Sequence, residues 1–163
     1  MKRTLIIATM FLTFGALADE HDHATCPMHD AHMHAADVDH RGDAAMGFSH
    51  ELTKHSFKRY DDGGAIEVRA LKSDDTKSID AIRTHLKSVA KEFASGDFAK
   101  PFAVHATNPP GVDVMASRKE KIKYDYSEIE NGARVRITTT DAAALDAVHQ
   151  FLKFQIEEHR TGD

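Results

Sequence analysis

Gly64-Ala65-Ile66-Glu67-Val68 (residues 64–68) has an echo later in the chain, Ala133-Arg134-Val135-Arg136-Ile137 (residues 133–137). Each run reads as part of a strand. Each also follows a turn signal. Asp61-Asp62-Gly63-Gly64 joins a strand over Ser56–Tyr60 to one over Ala65–Leu71, and Asn131-Gly132 joins Lys121–Ile129 to Arg134–Thr140. A helix then follows each hairpin. Over Thr76–Ala94, Ile79, Ile82, Leu86, Val89 and Phe93 recur at helical spacing, and Gly96 is the stop. Asp141 caps a second helix from Ala142 to about His159, with Leu145, Val148, Leu152, Ile156 and His159 along its face. Asp80-Ala81-Ile82 and Asp146-Ala147-Val148 extend the echo into the helices.

A hairpin with one helix cannot close a core alone. Two such units can share a four-stranded antiparallel sheet with both helices on one face. The expected fold of residues 46–163 is therefore a two-layer α+β domain built from duplicated hairpin–helix units. Phe98–Val114 is expected to be loop, because Asn108-Pro109-Pro110-Gly111 forbids regular structure.

Composition limits the function. The chain has 163 residues, 29% charged and 41% hydrophobic, as in an ordinary soluble domain with extras. The net charge of −5 and the lack of a basic stripe argue against nucleic acid as a partner.

Residues 1–18 read as a signal peptide. Lys2 and Arg3 supply the positive end, Leu5–Leu17 an apolar run too short to span a membrane, and Ala16-Leu17-Ala18 the small-residue cleavage pattern. No lipobox precedes Cys26. The mature chain is expected in the periplasm or outside the cell, with no stable membrane insertion after cleavage. Removing Lys2 and Arg3 from 21 basic residues leaves 19 against 26 acidic ones, a balance of −7 that suits a cation as ligand.

Residues 19–45 read as a disordered, metal-binding tail. Residues 21–50 hold seven of the twelve His, the only Cys and three of the six Met, with no hydrophobic period. Cleavage after Ala18 exposes Asp19-Glu20-His21, whose amine, two amides and third-position imidazole form a square-planar nitrogen set for Cu(II) or Ni(II). It resembles the amino-terminal copper and nickel motif. Cys26-Pro27-Met28-His29 resembles the core of the small heavy-metal-binding segments of copper exporters and efflux adaptors, with Asp30 where that family usually has Pro. Thiolate and thioether are soft and favour Cu(I), whereas imidazole also takes zinc or nickel. In an extended chain His21 and His23, and likewise His32 and His34 around Met33, share one side. A solvated spacer is the competing reading of the tail.

The domain carries further His. His85 sits at the edge of the first helix's apolar face, and His149 and His159 on or near that of the second. The latter two are roughly 15 Å apart along a helix, too far to clamp one ion. Each reads most simply as a hydrogen-bonded core residue. His105 and Met115 flank the Pro-Pro-Gly loop and form the domain's best candidate copper pair. His50 and His55 stand near the boundary with the tail. No Gly-x-Ser-x-Gly, His-Glu-x-x-His or phosphate loop occurs.

Met46-Gly47-Phe48-Ser49, Val104-His105, Pro109-Pro110-Gly111-Val112, Met115, Arg134-Val135-Arg136-Ile137-Thr138, Phe151-Leu152, Gln155-Ile156, His159 and Gly162-Asp163 resemble a group of short exported bacterial proteins without an established activity. Some members carry the label aspartate carbamoyltransferase. This chain gives the label no support, being about half the expected length and without the Ser-Thr-Arg-Thr phosphate-binding run. The resemblance implies the fold and export, not a reaction.

The sequence thus points to a periplasmic copper-binding protein serving metal buffering, delivery or resistance. Its partners would be the metal ion and a membrane efflux protein or cuproprotein. The alternatives are a small exported enzyme, or a haem- or protein-binding module, with its site near His105 and the Pro-Pro-Gly loop.

Overall fold

The structure is a computed structural model, and it describes residues 27–162. The signal-peptide expectation and Asp19, His21, His23 and Cys26 lie outside the described residues. Of Met28, His29, His32 and His34 it describes the backbone.

The first hairpin pairs β1 (Thr53–Tyr60) with β2 (Gly63–Ala70), and the second pairs β3 (Ile122–Ile129) with β4 (Gly132–Thr139). The second strands of the two hairpins pair with each other, so the sheet order is β1-β2-β4-β3, antiparallel throughout. Asp61-Asp62 and Glu130-Asn131 form the two-residue turns. Asn131 has φ 57°, which Asn tolerates better than most residues.

The register sends alternate residues to opposite faces. His55, Phe57, Ile66, Val68, Val135, Ile137 and Ile122 share the inner face, and Lys54, Lys58, Glu67, Arg69, Arg134 and Arg136 the outer one. Helices α2 (Thr76–Ser95) and α5 (Ala142–Glu158) both pack on the inner face. The expected two-layer α+β sheet with helices is the observed fold. On the outer face Glu67 is only 6% exposed, held by Arg69 at 3.1 Å, Lys58 at 3.5 Å and Arg134 at 3.8 Å.

The expected face of α2 is the buried one: Ile79, Ile82, Leu86, Val89 and Phe93 all lie in the core. The helix ends on Gly96 in the left-handed region, φ 83°, where a side chain costs strain. The buried face of α5 is turned from expectation. Ala144, Ala147, Val148, Phe151, Leu152 and Gln155 are buried, with Leu145 and Ile156 at the edge. Phe151 draws the helix round by packing edge-on against Phe93, 5.8 Å between centroids. A Cβ on Gly64 would lie 2.2 Å from Leu152 Cδ1, so glycine there lets α5 settle onto β2.

Two expectations are corrected. Phe98–Val114 is not one loop, because α3 (Ala99–His105) and α4 (Val112–Ser117) occupy its ends. The Pro-Pro-Gly block prevents regular structure only between them.

Residues 27–45 are not irregular either. Pro27–Met46 forms a helix, α1. Its alanines favour helix, and among its described residues Val38 is the large apolar side chain it seals completely. Polar anchors do the rest. Arg41 Nε donates to Val104 O at 2.8 Å, and Asp39 accepts from Arg160 at 2.7 Å. Asp43 accepts from the His50 backbone N–H at 2.7 Å, with the His50 ring at 3.0 Å. A Cβ on Gly42 would touch Val104, so α1 lies close on α3. The helical backbone also removes the alternation argument for His32 and His34, since i and i+2 share a side in a strand but not in a helix. Among the described residues no helix is long and apolar enough to cross a membrane.

Candidate metal centre

Where α1 ends over the inner face, five elements meet around a cavity of about 70 Å³. That volume suits an ion with a small ligand, or about two waters. Each wall contributes a donor that the fold delivers. Met46 is the last residue of α1. His55 faces inward from β1 opposite Val68. His85 comes from the edge of α2, His105 is the last residue of α3, and His159 caps α5. The remaining lining is chiefly aliphatic and aromatic, including Leu86, Phe93 and Phe151.

Four of the donors touch one another. Met46 Sδ lies 3.2 Å from His55 Nε2. The His55 and His159 rings stack with centroids 5.5 Å apart and planes 11° from parallel. His105 meets His159 edge-on at 5.2 Å. Phe48 covers the cluster, stacked near His55 at 6.1 Å and edge-on to His85 at 5.7 Å. His105 Nε2 and Gln155 Oε1 are 3.1 Å apart, with the imidazole N–H donating, and His105 Nδ1 stands 3.6 Å from Glu158 Oε2. His105 is 3% exposed and its Nδ1 makes no hydrogen bond.

Burial holds all four imidazoles in the uncharged form. It brings His55 down to about 4, aided by the nearby His85, and His85 down to about 4, aided by the Lys100 charge. His159 falls to about 3 through burial and then through His55 and His105. His105 is lowered by burial, against the opposing pull of Gln155 and Glu158. A neutral imidazole keeps a lone pair free to ligate, and a cluster of four cannot repel a cation as imidazolium would. Among the described residues, however, no three His, Cys, Asp or Glu groups converge closely enough to be a finished ion site. The donors are gathered, with a thioether 3.2 Å from one imidazole.

The sequence-derived candidates divide. His105 lines the cavity, whereas Met115 is fully buried in the main core and is absent from the cavity wall. The donor that stands against imidazole is Met46. Met33 is exposed on α1. His149 does not join the cluster. Its Nε2–H faces the Tyr60 and Gly63 carbonyls at 2.9 and 3.1 Å, tying α5 to the first hairpin. The reading of His85 and His159 as hydrogen-bonded core residues missed that they line one cavity with His55. The parity of Thr53, His55 and Phe57 on β1 carried that signal, since it turns His55 toward the helix-bearing face.

Searches of family models, of curated proteins and of solved structures find no match to this chain.

Proposed function

We propose that this protein is an exported copper-binding protein that serves metal buffering, delivery or resistance. One observation carries the reading: Met46, His55, His85, His105 and His159, drawn from five elements, surround a single cavity whose burial disfavours imidazolium. Soft thioether beside borderline imidazole is a donor set for copper. The donor-rich segment from Asp19 to His34 acts as the capturing end, with Asp19, His21 and His23 for Cu(II) or nickel and Cys26, Met28, His29, His32, Met33 and His34 for Cu(I). The cavity is the holding end, and a membrane efflux protein or a cuproprotein receives the ion.

Metal analysis of the mature, tag-free protein tests the reading. It predicts one or more copper per chain, reduced but not abolished when the donors from His21 to His34 are replaced. Uptake no greater than that of a chain with every His replaced would refute it.

A further inference from the structure

We infer that the cavity between α1, β1 and α5 is built for the monovalent ion Cu(I) and discriminates against Cu(II) and Zn(II). The inference rests on the copper reading above and goes further, to oxidation state and charge.

A ligating imidazole and a thioether are both uncharged donors. Here they are the Met46 thioether and the imidazoles of His55, His85, His105 and His159, and no carboxylate or thiol lines the cavity. An ion placed there gains no anionic ligand to offset the water it leaves. The desolvation cost rises with the square of the charge, so among apolar walls a divalent ion loses far more than a monovalent one.

The surrounding charges point the same way. Lys100 at the cavity wall is neutralised by Glu92, and Arg160 beside His159 by Asp39. One carboxylate, Glu158, stands behind His105 Nδ1 at 3.6 Å. The further charges near the donors, Asp43 by His55 and Arg41 by His105, are of opposite sign, so no run of carboxylates compensates a divalent ion.

Coordination number agrees. Zn(II) in structural sites takes four N, S or O ligands, and Cu(II) prefers tetragonal nitrogen and oxygen sets. Here one sulfur–nitrogen pair, Met46 Sδ and His55 Nε2, stands at 3.2 Å. Cu(I) is content with two or three donors that include soft sulfur, the class that thioether ligands select.

The experiment uses the full mature chain with the tail donors silenced: His21, His23, His29, His32 and His34→Gln, Cys26→Ser, and Met28 and Met33→Leu. It is titrated anaerobically with Cu(I) against a chromogenic Cu(I) chelator, and separately with Cu(II) and Zn(II). The expected result is one Cu(I) per chain, with Cu(II) and Zn(II) held at least about 100-fold more weakly. Met46→Leu, which nearly conserves volume, should weaken Cu(I) about tenfold or more while the circular dichroism stays unchanged. Equal or tighter binding of Zn(II) or Cu(II), lost with His55→Gln, would overturn the inference and leave the metal reading standing. Binding that survives only with the tail donors intact would also overturn it. No uptake by the unaltered chain would instead remove the copper reading itself.

Discussion

The run from Asp19 to His34 and the cavity under α1 hold the same kinds of donor, obtained by opposite means. In the first they are crowded by sequence, nine candidate ligands within sixteen residues. In the second they come from positions 46, 55, 85, 105 and 159 and meet only because the chain folds. Proximity in sequence is cheap and needs no scaffold, so it suits capture. Convergence in space brings burial, uncharged imidazole and fixed neighbours, and with them selectivity. The comparison teaches that a donor-rich segment advertises its candidate ligands while a domain conceals them in single, scattered histidines.

The sharpest way to break this comparison is to damage the scaffold alone. Phe93 is almost fully buried between Phe98, Phe151 and Tyr124. Phe93→Ala should cost about 3–5 kcal/mol in urea unfolding. It should also cost the Cu(I) equivalent assigned to the cavity, while copper bound by the tail donors stays. Equal loss from both regions would mean they are one site.

Acid should separate them next. The lowered values of the cavity histidines mean that the unfolded chain binds protons between about pH 6.5 and 4 where the folded one does not. Stability of the metal-free protein is therefore complete above that window and falls as pH drops through it, by a few kcal/mol in order of magnitude. Denaturant midpoints across the window would measure it. A flat profile from pH 7 to 4 would contradict the burial of these rings.

The join between the regions gives a smaller effect. Val38→Ala in α1 should lower stability by about 2 kcal/mol, since the side chain is fully enclosed. It should also weaken the cavity's hold on Cu(I) by releasing Met46, and a midpoint like that of the unaltered protein would argue that α1 is not part of the folded unit. The smallest effect is a control. Asp141 caps α5, its carboxylate accepting from the Ala144 N–H at 2.9 Å. Asp141→Ala should cost about 1 kcal/mol in thermal unfolding and leave copper stoichiometry untouched.

Much of the fold was legible because local signals agreed with the whole. Asp61-Asp62-Gly63, Asn131-Gly132, Gly96 and Asp141 each mark a boundary through their own chemistry, and the echo between residues 64–68 and 133–137 implied a shared sheet. Elements stabilised by tertiary contact escaped. α1 hides its partner surface in Val38 and Gly42, and α3 and α4 are too short to show a period. The cavity was hidden for a related reason. His85, His105 and His159 were each visible, but spacing within one helix says nothing of neighbours on another. Met46 was read as the start of the domain and not as a donor, though its thioether stands against His55 of β1.

X-ray absorption at the copper edge, on the tail-silenced full chain loaded with one equivalent of Cu(I), tests the account most directly. The account predicts a sulfur scatterer together with imidazole nitrogens, the sulfur vanishing in Met46→Leu. A shell without sulfur, or one unchanged by that substitution, would contradict it.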